Sequence, residues 1–145
     1  RLLRKNMEST KVFFDINIVL DIIDPMRSHH SKAKELWKIL VTNKSQILIS
    51  EDMLSTIFYI NSDNKYTLEF FQIIQKRWQI VPFGKNVINN AIDLSIKNNL
   101  DLEDVLQCLC AQENGCAVFI TNDNNFYDCG MSIQNVDDFL LSSLR

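Results

Sequence analysis

The feature that most restricts the fold of this chain is an alternation of short runs rich in β-branched and aromatic residues with longer runs of helical period. This alternation is typical of an α/β domain, in which helices cover both faces of a parallel sheet. It predicts a three-layer α/β domain whose mainly parallel central sheet has about five strands. Strands are predicted at residues 11–15, 46–50, 78–83, 116–121 and 131–134, and helices at 18–24, 31–42, 51–60, 66–76, 85–98, 101–114 and 136–144.

Polar residues directly before the helical runs predict where helices begin. Asn17, Ser31 and Asp101 can each accept a hydrogen bond from a backbone N–H of the first turn that follows. In the helix that Asp101 opens, Asp104 and Cys108 lie opposite the predicted apolar stripe. That stripe consists of Leu102, Val105, Leu106 and Leu109, and the stripe of the preceding helix consists of Val87, Ile88, Ala91, Ile92 and Ile96.

Length and composition predict one domain around a hydrophobic core. Of the 145 residues, 46% are hydrophobic and 23% are charged, which excludes a disordered chain. The domain is predicted over residues 7–145, with Met7 as the natural first residue and residues 1–6 as an added or upstream extension. No apolar run approaches the ~18 residues of a membrane span, so no membrane association is expected. The net charge of −3 gives no basic surface typical of a nucleic-acid scaffold, although an enzyme could still touch nucleic acid locally.

The four cysteines indicate the compartment. Cys108, Cys110, Cys116 and Cys129 all lie in the last third of the chain, and no apolar signal-peptide core follows the first residues. We therefore expect reduced thiols in a cytoplasmic protein, with Cys108 as a small buried thiol. The spacing of the cysteines does not match a zinc site.

Three aspartates are the candidate catalytic residues. Asp15 and Asp123 follow predicted strands, and the carboxyl ends of parallel strands are where open α/β sheets bind ligands. Asp104 lies in the first turn of a helix. Converging carboxylates would repel one another unless a hard cation such as Mg²⁺ or Mn²⁺ lay between them, and such a cation would activate water beside a phosphate. The pattern favours phosphodiester hydrolysis, and the alternative is that each aspartate is a helix cap or a loop residue.

Four motifs, in this order, resemble those of PIN-domain nucleases, and among them the VapC-like toxins of toxin–antitoxin pairs. The motifs are Phe-Asp-Ile-Asn at 14–17, Ile-Ser at 49–50, Leu-Glu-Asp-Val-Leu-Gln at 102–107 and Ile-Thr-Asn-Asp-Asn-Asn-Phe at 120–126. The resemblance covers residues 11–141. It implies the PIN fold, a Mg²⁺- or Mn²⁺-dependent endoribonuclease with an RNA substrate, frequent homodimers, and inhibition by a small antitoxin protein.

The resemblance also implies roles for particular residues. Asp15, Asp104 and Asp123 match the family's acidic residues, which bind the metal and carry out catalysis. Ser50 and Thr121 match positions that support the acidic site without binding the metal.

Further positions match the family less closely. Asn17 matches a polar residue two positions after the first acid, where a capping role is expected. Thr56 stands where the family normally carries a glutamate, and Asn125 stands where members often carry an aspartate. Asp52, four residues before Thr56, could reach the site in its place, although an acid there also favours a helix N-terminus. Asp101 is expected first as an N-cap, with a ligand role as the alternative.

The two departures keep a second function open, which is a catalytically weakened PIN-like module that acts by binding RNA or protein. A phosphoacceptor domain is more remote, because Asp15 lacks a neighbouring second acid and the downstream lysine such domains need. Arg27, His29 and His30 could bind phosphate or a metal ion. The simpler interpretation of these three residues is an ordinary polar turn between two helices.

Overall fold

The structure, a computed structural model, describes residues 9–144, so the predicted extension at residues 1–6 and the boundary at Met7 lie outside it. Within that part of the chain, short strands alternate with helices as predicted. The strands are β1 (Lys11–Phe14), β2 (Gln46–Ser50), β3 (Gln79–Val81), β4 (Val118–Ile120) and β5 (Ile133–Gln134). The helices are α1 (Ile16–Ile23), α2 (His30–Thr42), α3 (Asp52–Ile60), α4 (Asn64–Arg77), α5 (Gly84–Asn98), α6 (Leu102–Glu113) and α7 (Val136–Ser143).

The five strands form one sheet in the order β3-β2-β1-β4-β5, and every pairing is parallel. This confirms the predicted α/β class. From β1 the chain moves outward to β2 and β3, and then returns to β4 on the opposite side of β1. The direction of the winding therefore changes between β1 and β4, where Phe13 pairs with Phe119. In open α/β sheets, ligands bind outside the carboxyl ends of the strands at such a switch point.

The central strands are buried on both faces, which explains why their sequences are almost continuously apolar. Phe13 of β1 stacks on Phe119 of β4 with ring centroids 5.2 Å apart, and both side chains are fully buried. Trp78, which directly follows α4, contacts Phe14, Trp37 and Phe70 edge to face. These contacts fix the sheet between its helices and so fix the position of the strand ends.

Two of the predicted helix caps are wrong and one is confirmed. Asp15, not Asn17, caps α1, because β1 ends at Phe14 and leaves Asp15 extended at the turn. Ser31 does not cap α2, which begins one residue earlier at His30 and has no side-chain cap. Asp101 caps α6 as predicted, since its Oδ1 accepts the N–H of Asp104 at 3.3 Å. Trp78, predicted as the start of the third strand, instead ends α4.

The predicted apolar stripes of α5 and α6 are only partly buried. Val87 and Ala91 face the core, whereas Ile88, Ile92 and Ile96 are exposed, as is Leu102 at the start of α6. Cys108, expected on the side of α6 opposite its apolar stripe, is fully buried. The reason is that α6 packs both against α5 and toward β2, so more than one of its sides is covered. No helix within residues 9–144 is long and apolar enough to cross a membrane.

Candidate active site

Asp15 and Thr121 lie side by side at the ends of β1 and β4. The Asp15 Oδ2 accepts the hydroxyl of Thr121 at 2.7 Å, and its Oδ1 accepts the N–H of Ile16 at 2.8 Å. The two bonds fix the orientation of the carboxylate, and the second is also the cap of α1. Thr121 is thus in contact with the first acid, and the supporting role that the resemblance implied for it stays a prediction.

Asp123 is tied to the same group of hydrogen bonds. Its N–H donates to the Thr121 Oγ1 at 3.0 Å, so one hydroxyl connects the backbone of Asp123 with the carboxylate of Asp15. The Asp123 Oδ1 accepts the N–H of Asn125 at 2.9 Å, which folds the loop after β4 back on itself. Asn125 is exposed and contributes its backbone to this turn. Phe126 stacks on the buried Phe119 at 4.4 Å and anchors the loop to the core.

Asp104 completes the acidic pocket from the first turn of α6. Its pKa is raised to about 6, first by burial and then by the negative charges of Asp101, Asp15, Asp123 and Glu103. Burial and the charge of Asp123 likewise raise the pKa of Asp15, while the hydrogen bonds that Asp15 accepts lower it. Asp104 therefore lies near enough to Asp15 and Asp123 for their charges to affect its ionisation, although it comes from a different part of the sequence.

The donor chemistry of this pocket fits a hard divalent cation. Carboxylate oxygens are the ligands that Mg²⁺ and Mn²⁺ prefer, and a cation would offset the negative charges that, after burial, raise the pKa of Asp104. Among residues 9–144, no three or more His, Cys, Asp or Glu side chains are grouped closely enough to hold a metal ion as they stand. Asp15, Asp104 and Asp123 therefore lie near one another, but not grouped closely enough in the described structure to hold one ion together.

The remaining sequence-predicted residues lie around the pocket or apart from it. Ser50 ends β2 fully buried, and its hydroxyl has no hydrogen-bond partner among the described residues. Asp52 and Thr56 are both exposed on α3, and Asp52 is not among the charges that raise the pKa of Asp15 or Asp104. Asn17 is exposed on α1, where its Oδ1 accepts an N–H of Arg27 at 3.3 Å. None of these four touches the three aspartates through a hydrogen bond of the described structure.

The expectation that all four cysteines are free thiols is wrong for two of them. Cys108 of α6 forms a disulfide with Cys129, 21 residues later, and their Cα atoms are 6.0 Å apart. The loop after β4 returns over α6, where the side chain of Gln112 also donates to the carbonyl of Cys129 at 3.2 Å. The sequence could not show this return, because it depends on the path of the loop. Cys110 and Cys116 are free.

A cleft of about 510 Å³ opens beside Asp123, and sequence reasoning missed the residue that shapes it. Asp21 is buried in α1 and accepts the Nε–H of Arg27 at 2.8 Å. The sequence feature that could have indicated a buried acid is that Asp21 is the single charged residue within the otherwise apolar run 18–23. Arg27 and His29, interpreted from the sequence as a surface turn, line this cleft together with Asn122 and Asp123.

The fold and the pocket together define an all-parallel α/β protein with an acidic site at its switch point. The chain belongs to the PIN domain family, whose model matches residues 12–130. This confirms the resemblance that the four sequence motifs indicated.

Individual relatives agree with this assignment. The chain is 36% identical over 137 residues to Ribonuclease VapC1 of Aquifex aeolicus (strain VF5), an alignment that covers 92% of this chain and 95% of the relative. Its fold is similar to that of VapBC2 from Rickettsia felis bound to a DNA fragment from their promoter, with a TM-score of 0.69 and 17% identity over 87% of this chain and 98% of that chain. It is also similar to VapC20 of Mycobacterium tuberculosis, a Sarcin-Ricin loop cleaving toxin, with a TM-score of 0.68 and 12% identity over 83% and 95% of the two chains. At 17% and 12% identity, the likeness to these two solved structures shows that the fold is shared and nothing more.

Proposed function

We propose that this chain is a divalent-metal-dependent endoribonuclease of PIN-domain type and the toxin of a toxin–antitoxin pair. The observation that carries the proposal is the hydrogen-bonded group of Asp15, Thr121 and Asp123 at the ends of β1 and β4, with Asp104 near enough that the charges of both acids contribute to its raised pKa. Support comes from the relative at 36% identity, which is named a ribonuclease and aligns over nearly the whole of both chains.

Asp15, Asp104 and Asp123 would hold Mg²⁺ or Mn²⁺. When bound, such an ion supplies an activated water and neutralises charge on the phosphate that is attacked. The chain's own part is to orient these carboxylates. Thr121 uses its hydroxyl hydrogen to fix one oxygen of Asp15 and uses its oxygen to fix the backbone of Asp123. Asp101 caps the helix turn on which Asp104 stands.

The partners belong to the same proposal. RNA is the substrate, a small antitoxin protein is the inhibitor, and the toxin acts as a homodimer. Solved VapBC assemblies with this fold support an antitoxin, and the name of the ribonuclease relative supports RNA. The cytoplasm is the proposed location because the RNA substrate is found there. In that compartment thiol buffers favour the reduced form of Cys108 and Cys129.

The test is the substitution Asp15→Asn, which keeps the size of the side chain and removes its charge. Cleavage of a labelled single-stranded RNA in the presence of Mn²⁺ is expected to fall by about a hundredfold or more, since even groups that only orient metal ligands change activity by about 10- to 100-fold. Asp93→Asn, an exposed position on α5, is the matched control and should cleave normally. Full activity of Asp15→Asn, with melting temperatures that show both variants folded, would contradict the role of Asp15.

A second candidate is a PIN-like module that binds RNA or protein without cleaving. It is favoured by Thr56 and Asn125, which replace acids in the family pattern and are both exposed here. The two candidates differ in turnover. An enzyme gives RNA cleavage that rises with Mn²⁺ concentration, whereas a binding module gives no metal-dependent cleavage at any concentration.

A further inference from the structure

The cleft beside Asp123 brings three parts of the chain together. Its lining consists of Asn122 and Asp123 from the loop after β4, Arg27, Ser28 and His29 from the turn between α1 and α2, and Asn17 and Asp21 of α1. Among the described residues that line this cleft, Arg27 is the one lysine or arginine. A group bound at Asp123 would therefore meet a guanidinium in the same cleft, beside the Asp21 carboxylate that orients it.

Arg27 is held in place by hydrogen bonds to two side chains. Its Nε donates to the buried carboxylate of Asp21 at 2.8 Å, and its Nη2 donates to Asn17 at 3.3 Å. These bonds use two of the five N–H hydrogens of the guanidinium, and the other three have no acceptor among the described residues. About a third of the side chain is exposed, so the guanidinium is both oriented and accessible.

The charge of the site favours a cationic side chain at this place. RNA is a polyanion, and the pocket presents Asp15, Asp104 and Asp123, with Asp101 and Glu103 beside them. A divalent ion offsets charge at the attacked phosphate, but the neighbouring phosphates still meet an acidic surface on a chain whose net charge is −3. Planar guanidinium groups suit this task because they bind phosphate oxygens through two parallel N–H bonds.

We infer that Arg27 binds an RNA phosphate adjacent to the phosphodiester that faces Asp123, through the guanidinium N–H groups that Asp21 and Asn17 leave free. This inference rests on the proposed function for its choice of RNA. Arg27 would then contact the substrate directly, in addition to forming the ion pair with Asp21.

The test must separate this contact from the ion pair. The variants Asp21→Asn and Asp21→Asn/Arg27→Gln both lack the pair, so the difference between them reports the guanidinium alone. Binding of a fluorescent single-stranded RNA of mixed sequence is measured by anisotropy in EDTA, where no metal-dependent cleavage occurs. The double variant should bind about tenfold more weakly, which is typical for loss of a charged hydrogen bond. The slope of log affinity against log salt concentration should also fall by about 0.7.

The matched control is Asp21→Asn/Lys38→Gln, which makes the same change of charge at an exposed position of α2 outside the cleft. Its affinity and its salt slope should equal those of Asp21→Asn. Equal binding by the Arg27→Gln and Lys38→Gln double variants would overturn the inference.

A second variant covers the case in which the double substitution does not fold. Arg27→Lys keeps the positive charge beside Asp21 but removes the planar pair of donors. It should raise the KM for RNA several-fold with little change in kcat, and an unchanged KM would overturn the inference. The proposed function fails separately, if Asp15→Asn retains full cleavage, and the anisotropy comparison does not depend on that result.

Discussion

The Asp104 carboxyl shows at the scale of one residue how an acidic pocket affects stability. Its pKa is about 6 in the folded chain, against an ordinary value of 3.8, first because of burial and then because of neighbouring negative charges. A raised pKa means that the folded state holds the proton more tightly than the unfolded state does. The resulting stabilisation is complete below pH 3.8 and is lost as the pH rises through about 6.

Asp104→Asn should therefore stabilise the metal-free protein at pH 7.5. Asp104 is partly exposed, so we discount the effect to about 1 kcal/mol or less, which corresponds to a rise in Tm of roughly 2–4 °C. This gain exceeds the few tenths of a kcal/mol lost when an acid leaves an exposed helix N-terminus. Calorimetry in EDTA at pH 7.5 and pH 4 measures the effect, which should shrink at the lower pH.

The exposed substitution Asp93→Asn serves as the control for this pH dependence. A Tm of Asp104→Asn that is equal to or below that of the wild type at pH 7.5 would contradict the prediction that the ionised Asp104 carboxylate destabilises the metal-free fold.

Individual site residues were predictable where their position alone determined their environment. Asp15 and Asp123 follow strands, so a parallel sheet was enough to bring them to one edge. Asn17 failed as a cap because the helix begins two residues earlier than the pattern suggested, which makes Asp15 the cap. The pairing of Asp21 with Arg27 was not predictable, since it depends on how the turn after α1 folds back over that helix. The metal-binding roles of the three aspartates remain predictions.

Helix α6 and the loop after β4 form a unit at the scale of elements. α6 carries Asp104, the loop carries Asp123, and the disulfide between Cys108 and Cys129 joins the two. The loop is also held by Phe126, which stacks on Phe119. The bond thus limits how far the two acid-bearing elements can separate.

Removing this bond should destabilise the oxidised protein. Closing a loop of 21 residues in the unfolded chain corresponds to about 3 kcal/mol in the chain-entropy account, or roughly 10 °C in Tm. Cys129→Ser should lower the Tm by this order, and dithiothreitol should lower that of the wild type similarly without affecting the variant.

The control for this experiment is Cys116→Ser, which replaces a free and half-buried cysteine. It should respond to dithiothreitol as the wild type does. A wild-type Tm that is insensitive to dithiothreitol, with mass spectrometry showing the thiols reduced, would contradict the stabilising role of the bond.

The elements themselves were largely predictable from their periodicity, because strands buried on both faces must be short and apolar and the helices beside them must be amphipathic. The exposed Ile88, Ile92 and Ile96 show where periodicity was insufficient. It located an apolar face on α5 but could not say that only part of the face meets the core. Periodicity could not predict the burial of Cys108 either, because α6 is covered on several sides only once the whole molecule is packed.

At the scale of the whole molecule, a cation bound by the acidic pocket would contribute to global stability. An ion that binds only the folded chain stabilises it by about 2.7 kcal/mol at a hundred times its Kd. Mn²⁺ should therefore raise the wild-type Tm by several degrees, in a manner that depends on concentration. Asp15→Asn should show little of this rise, and Asp93→Asn should show all of it.

An equal Mn²⁺ response in the wild type and in Asp15→Asn would place the ion elsewhere on the chain. A Tm rise without RNA cleavage would favour the binding module over the enzyme, since the pocket would then hold metal but not turn over.

The cross-link between α6 and the loop after β4 also changes the connectivity of the polypeptide. It closes a covalent ring that contains β4 and Asp123. A protease that cuts the backbone once inside this ring, between residues 108 and 129, leaves both fragments attached. Under oxidising conditions a singly nicked chain therefore keeps its full mass, and its two halves separate only after a reductant is added.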